Sequence, residues 1–353
     1  MMGPMNRPDS LDLPPSEVRA ACARIGDVAD RTAIEGPWAA GSMAVLADHG
    51  VLAGFIPPEH GGSAASDADR LAALAAVASG CLTTALALSQ WAAAVRIIAS
   101  GDEAVQASLV PALARGATFT TVGVSQLTTS RQHLGRPALV ASRAADGWRL
   151  DGVCPWVTGA DSCDTLVTGA AAGDERLFFV VPTTAAGLTI DPPLEMLALS
   201  GSRTSAVRFA GARPTYVIAA RGTNATRAGG LATTALALGA TRAAIELVAA
   251  EASRRPDLEP VAVRLGDELA AAGARLLEAA RAGIDPDDRD RLRGDATSLA
   301  IRAAQAALTA AKGAGFVRGH PAERLVRESL FFLVWSCPPA VSASMLCEFA
   351  GTD

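Results

Sequence analysis

The stretch "GWRLDGVCPWVTGADSCDTLV", Gly147–Val167, interrupts a chain that otherwise reads as helix. Its apolar residues come in short runs between turn residues. More such runs follow: "TLVTG" from Thr165, "RLFFVVP" from Arg176, "GLTIDPP" from Gly187 and "AVRFAGA" from Ala206. Strand-type residues punctuated by turn signals every eight to twelve residues or so predict an all-β unit. In "AVRFA", Val207 and Phe209 take one face and Arg208 the other, the period of a half-buried strand. "AAAGDE" from Ala170 predicts a hairpin turn.

On both sides the pattern is helical. Residues 15–118 are rich in Ala and Leu, broken at "FIPPEHGG" and "LVPALARG". From about residue 224 to 350 helix returns. Leu238, Ile245 and Val248 line one side of a long helix, and Arg242 and Glu246, four apart, are spaced to pair. "RAGIDPDDRDR" from Arg281 reads as a loop between helices. The expected architecture is α+β and multidomain: an N-terminal helical bundle (1–118), a central β-sandwich or barrel (119–215) and a C-terminal four-helix bundle (216–353). Clefts where such domains meet are where cofactors tend to bind.

The composition narrows the function. Half of the 353 residues are apolar, enough for a sizeable core, and the net charge of −5 argues against a nucleic-acid surface. The six cysteines form no C-x-x-C pair, and four histidines are too few and dispersed for zinc spacing, so no metal is expected. The thiols read as small buried side chains of a reducing compartment. The N-terminal residues show no apolar signal core. The most apolar region, Leu71 to Val95, is broken by Ser79, Gly80, Thr83, Thr84, Ser89 and Gln90, which suits a buried helix pair rather than a membrane span. A soluble, cytoplasmic protein is expected.

Near the C-terminus, "VRESLFFLVWSCPPAV" (Val326–Val341) predicts a helix with Val326, Leu330, Leu333 and Val334 on one apolar face. Pro338 and Pro339 should end it near Trp335 to Cys337.

Five segments in order resemble the acyl-CoA dehydrogenase family over nearly the whole chain. They are "GFIPPEHGG", "ASGDEAVQASLVPALARGATFTTVGVSQ", "GWRLDGVCPWVTGADSCDTLV", "GSRTSAVRFAGARP" and "GAGFVRGHPAERLVRES". The resemblance implies FAD at the junction of the β-domain and the C-terminal helices, in dimers or tetramers that complete each site. It implies that Val124 and Ser125 offer backbone groups and a hydroxyl to the flavin, with Ser125 standing where Thr is usual. Trp156 matches the tryptophan against the isoalloxazine, and Thr158 the hydroxyl near flavin N5. Arg255 matches an arginine that reaches the FAD pyrophosphate across the dimer interface, a role suited to a guanidinium. Its surroundings, "RPDLEPVAVRL", lack the Phe and Gln usual there. Thr309 and Gly313 match positions near the diphosphate and adenine. Gln126, Arg131 and Trp335 fall at expected substrate contacts; Trp335-Ser336-Cys337 would form a wall of the flavin and substrate pocket, with Trp335 covering the flavin or closing the acyl tunnel.

The resemblance breaks where the chemistry should be. The family's glutamate base, which removes the α-proton of an acyl thioester, falls at Ser336, and the alternative seat falls at Gly229. A positioned general base is worth roughly 10²- to 10⁴-fold in rate, and a serine hydroxyl cannot take a weakly acidic C–H proton. Cys337 is a substitute, though a helix C-terminus would raise its pKa. The glycine-rich bend along the thioester is replaced by "TTSRQH", Thr128 to His133, in which Arg131 would anchor substrate and His133 transfer a proton.

Three functions follow as expectations. The first is a flavoenzyme of specialised metabolism with altered chemistry on an acyl thioester carried by CoA or a carrier protein. The second is a flavin monooxygenase or oxidase served by a flavin reductase or another electron partner. The third is a non-catalytic subunit that keeps the fold to assemble with a partner.

Overall fold

The computed structural model describes residues 11, 16–38, 41–128, 137–219 and 230–352, and for Thr128 the backbone alone. Its contacts divide the chain into two compact units rather than the three expected blocks. One comprises Met1–Asp27, Ala65–Ala85 and Gly229–Asp353, the other Val28–Ala64 and Leu86–Ala228. The N-terminal helical block is therefore shared between the two.

The helical unit is built on α8 (Leu231–Ala252), α9 (Glu259–Ala282) and α10 (Pro286–Gly315). α1 (Ser16–Gly26) packs on α4 (Asp67–Gly80), and α4 packs on α8 and α9, so an N-terminal helix joins the C-terminal bundle. Ser66 starts α4 through a capping box: its hydroxyl accepts from the Asp69 N–H while the Asp69 carboxylate accepts from the Ser66 N–H at 2.9 Å. Gly239 lets α8 approach α4. A β-carbon there would lie 2.6 Å from that of Ala78 and nearer still to the Ala75 carbonyl oxygen. The expected side of α8 holds in part: Leu238 and Val248 are buried and Ile245 half-buried. Arg242 donates to the carbonyl of Leu11 at 3.1 Å. Its charge reaches Glu246, but burial outweighs it and raises that carboxyl above the usual range.

After α10 come α11 (Pro321–Ser329), a tighter 3₁₀ turn (Leu330–Leu333) and α12 (Pro339–Ala350), which packs on α10. This corrects the helix expected up to Trp335. The α-helix ends at Ser329, and the buried side chains are Ala322, Leu325, Glu328, Ser329 and Phe332. Tightening to 3₁₀ shifts the phase of the face, so Val334, assigned to the core from its spacing, is 77% exposed.

In the second unit, α2 (Ala29–Glu35), α3 (Ser42–Asp48), the latter part of α5 (Leu82–Ala99) and α6 (Glu103–Ala114) accompany the β-domain. α5 and α8 are long and apolar enough to cross a membrane, yet most of each is buried. Gln106, from the "GDEAVQ" segment, closes the bend between α5 and α6. Its amide donates to the carbonyls of Ala99 (3.0 Å) and Gly101 (2.7 Å), and its oxygen accepts from His60 Nε2 at 2.8 Å.

The β-domain has eight strands: β1 (Thr120–Gly123), β2 (Leu139–Ala144), β3 (Gly147–Val157), β4 (Thr165–Ala172), β5 (Glu175–Pro182), β6 (Leu188–Ile190), β7 (Ser205–Ala212) and β8 (Tyr216–Ala219). Their order is β6-β7-β3-β2-β4-β5-β8, with β1 parallel to β4. One residue pair, Val140 with Ala171, joins β2 to β4. Two four-stranded halves thus enclose one core that includes Leu150, Cys154, Leu166, Phe179, Val207 and Phe209. The hairpin at "AAAGDE" forms as expected, with left-handed Gly173 (φ 63°) in its turn. In β7, Val207 and Phe209 are buried while Arg208 faces out to Asp191. The β-domain extends past residue 215, because β8 adds to β5 as an edge strand.

Candidate functional site

β3 and β7 pair in register up to Cys154 and Val207, then again at Val157 and Ser205. Three steps on β3 thus match two on β7, a β-bulge holding Pro155 and Trp156. Proline has no N–H to give a ladder, so it is at home in a bulge, and a bulge re-aims the neighbouring side chain. The outcome is that Trp156 is 50% exposed, between buried Cys154 and buried Val157. The next turn is built on Gly159 (φ 64°), over which the Trp38 ring packs so closely that no β-carbon fits. Thr158 is buried. Its hydroxyl is within 3.3 Å of the Thr204 hydroxyl, which is 2.8 Å from that of Ser202, and its carbonyl accepts from Thr121 at 2.8 Å. Trp156 and Thr158 thus share one end of β3, the indole outward and the hydroxyl in a buried chain.

Val124 and Ser125 join β1 to the short α7 (Ser125–Thr128), and the Val124 carbonyl accepts from Leu127 at 2.9 Å. The Ser125 hydroxyl acts on the Cys154 thiol, which burial nonetheless pushes up to about 12. Gln126, expected at the substrate, turns its side chain into the β-domain. It is buried, its amide nitrogen donates to Gly169 O (2.8 Å), Thr168 Oγ1 (3.2 Å) and Gly123 O (3.3 Å), and its oxygen accepts from Cys154 at 3.1 Å. Every polar group of that side chain is used inside the β-domain. Arg131, His133 and the alternative base seat at Gly229 lie outside the described residues.

On the helical unit, Arg255 bonds the Glu251 carboxylate at 3.0 Å and the carbonyl of Ala310. Within its own chain it ties the end of α8 to α10. Thr309 is exposed, and its hydroxyl turns back to Gln305 O at 2.9 Å. Gly313 is exposed with open space around its α-carbon, just past a kink at Lys312 (φ 55°).

The turn Trp335-Ser336-Cys337 leaves the expected helix end. Trp335 stacks on Phe331, with centroids 5.0 Å apart and planes at 17°. Ser336 has a left-handed backbone, φ 48°. Cys337 precedes α12 instead of ending a helix, so its thiol is held up chiefly by burial rather than by a helix C-terminus. Arg293 opposes that rise and Asp290 adds to it.

One residue at this turn escaped the sequence reading. Arg293, on α10, is fully buried. It donates to the carbonyls of Phe332 (3.0 Å), Trp335 (3.3 Å) and Thr233 (3.4 Å), and its guanidinium lies 5.5 Å from the centre of the Phe332 ring. Its Nε has no partner among the described residues. Burial lowers its pKa to about 10. The signal was its phase: Arg293 shares the inward side of α10 with Ala296, Thr297 and Ala300.

Comparison with known proteins bears on this arrangement. Residues 17–117 match the acyl-CoA dehydrogenase N-terminal domain. A probable acyl-CoA dehydrogenase of Bacillus subtilis (strain 168) is 24% identical over 318 residues, 80% of this chain and 82% of that protein. The butyryl-CoA dehydrogenase of Megasphaera elsdenii superposes with a TM-score of 0.80 at 15% identity, covering 98% of this chain and 100% of that one. A dibenzothiophene monooxygenase from Paenibacillus sp. A11-2 superposes with a TM-score of 0.76 at 17% identity, covering 94% of each chain. The two solved structures share the fold.

Proposed function

We propose, from the premise that the chain belongs to the acyl-CoA dehydrogenase family, that it is an FAD-dependent oxidoreductase acting on an acyl thioester without the family's glutamate base. The observation that carries this reading is Trp156, half exposed at a bulge two residues before Thr158, whose hydroxyl joins the buried Thr204 and Ser202 hydroxyls. An indole turned outward offers a flat apolar surface to a flavin ring, so these residues fit the cofactor. Trp156 would pack against the ring and Thr158 would present its hydroxyl to the ring's polar edge. Arg255, one-quarter exposed, keeps donors for a phosphate beside its bond to Glu251. When bound, FAD supplies a two-electron acceptor.

The chain's own residues shape what the substrate meets. At Ser336 a hydroxyl stands where a carboxylate would abstract a proton, and the Cys337 thiol stays neutral near pH 7. Proton removal then needs an already acidic substrate or another residue, for which His133 is the candidate. The thioester would be carried by CoA or a carrier protein, in a specialised pathway, by a cytoplasmic dimer or tetramer. The second reading, a flavin monooxygenase or oxidase, is favoured by that missing carboxylate and by the shared fold with the dibenzothiophene monooxygenase.

The test is spectroscopic. Purified protein should carry the flavin absorption bands, and anaerobic titration with acyl thioesters should bleach them. Bands that no thioester bleaches, with oxygen uptake once a flavin reductase and NADH are supplied, favour the monooxygenase. A colourless protein that takes up no FAD leaves a non-catalytic partner subunit.

A further inference from the structure

The carbonyl of Trp335 has an unusual problem. Continuing a helix would give it the N–H of residue 339, and a 3₁₀ turn that of residue 338. Both are proline and have none. The neighbouring Phe332 carbonyl loses its 3₁₀ partner as well, since the Trp335 N–H goes to Phe331 at 2.9 Å. Buried carbonyls left without donors are costly, typically by about 1–3 kcal/mol each. The guanidinium of Arg293 supplies both, at 3.0 and 3.3 Å, and anchors them to the first turn of α8 through the Thr233 carbonyl.

The charge state fits this use. A buried cation is normally matched by a carboxylate. No hydrogen bond or ion pair from Arg293 to a carboxylate occurs among the described residues; its acceptors are main-chain carbonyls and it lies by the Phe332 ring. Even lowered to about 10, its pKa keeps it charged at neutral pH. An arginine fork can serve carbonyls of two separate segments at once, which an ammonium point charge cannot do with the same geometry.

We propose that Arg293 is the positioning residue of the Trp335-Ser336-Cys337 turn. It gives the Trp335 carbonyl the donor that neither Pro338 nor Pro339 can supply, gives the Phe332 carbonyl the donor it loses when the Trp335 N–H turns to Phe331, and holds Ser336 in its left-handed conformation. The turn's role as a substrate wall rests on the function proposed above; its dependence on Arg293 does not.

The experiment is alkylation of the full-length protein with iodoacetamide, read cysteine by cysteine by mass spectrometry. In Arg293→Met the turn should open locally, and Cys337 should label about tenfold faster than in the parent. Cys154 and Cys163, buried in the other unit, should stay protected. Arg293→Lys should fall between the two. Adding Pro339→Ala to Arg293→Met, which supplies the N–H that a continued helix would give the Trp335 carbonyl, should slow Cys337 again. If Arg293→Met does not fold, Arg293→Lys alone decides, with faster labelling confined to Cys337 as the supporting result. An unchanged rate at Cys337, or equal acceleration of all buried cysteines, overturns the proposal.

A parallel titration of the flavin-loaded variants with acyl thioester addresses the wall. Faster Cys337 labelling with an unaltered thioester response would uphold Arg293 as the positioning residue and remove the turn from the substrate site. Faster labelling with a weakened response, flavin being retained, would uphold both.

Discussion

The thiol of Cys154 donates to the side-chain oxygen of Gln126 at 3.1 Å, linking the bulged strand β3 to the segment that follows β1. With its nitrogen bonded to Gly169, Thr168 and Gly123, Gln126 is a cross-brace of the β-domain.

Gln126→Leu should therefore lower unfolding stability by about 2–4 kcal/mol, since it strands several buried polar groups at once. Urea denaturation measures this. An unchanged midpoint together with a raised KM for thioester would return Gln126 to the substrate.

Gly239→Val should be more damaging to the helical unit than Gly266→Ala on α9. A side chain at 239 meets the Ala75 carbonyl and the Ala78 β-carbon, while one at 266 meets nothing within 4 Å. Overpacking of this kind costs about 1–3 kcal/mol or more. Equal melting temperatures for the two variants would contradict the α4–α8 approach.

Ser336→Glu should create or raise thioester-dependent flavin bleaching if the proposed substrate is right, because it restores a base at the family's position. Ser336→Gly should be neutral or stabilising by up to about 1 kcal/mol, since glycine takes a positive φ without steric penalty. A flavin-loaded Ser336→Glu protein inert to short, medium and branched thioesters would count against a thioester substrate.

Two glutamates should respond to pH with opposite signs. The Arg327 guanidinium, bonded at 2.7 Å, holds the Glu323 carboxyl below its usual range. Its contribution is present above the unfolded pKa and is lost as pH falls through the lower folded value. Burial raises Glu246, so its contribution is present below the unfolded pKa and is lost as pH rises through the folded one. Glu323→Gln should flatten the acid limb of a stability–pH profile, and Glu246→Gln should be neutral or stabilising at pH 7. The reverse pattern in denaturation from pH 3 to 8 or so would refute both assignments.

Legibility varied with how local the cause was. The hairpin at Gly173 and the alternation Val207-Arg208-Phe209 were readable because turn and strand periods are written in adjacent residues. The end of α11 was not. Prolines announce that a helix must stop, but not that its last turn tightens to 3₁₀ at Leu330, leaves Val334 exposed and has two of its carbonyls met by Arg293. The bracing by Gln126 is not legible for a similar reason: three of its four partners, Cys154, Thr168 and Gly169, lie 28 to 43 residues further along the chain.

The sequence by itself determined the order of helical and β segments, the segments that resemble acyl-CoA dehydrogenases, and the absence of a carboxylate at residue 336. These are local patterns and residue identities, which need no partner to be read. Only the tertiary structure decided that a bulge turns Trp156 outward, that α4 joins the C-terminal helices, and that a buried arginine some forty residues upstream serves the Trp335 carbonyl. Each of these depends on which groups meet across the fold, since hydrogen bonds and close packing are satisfied by distance in space and not by distance along the chain.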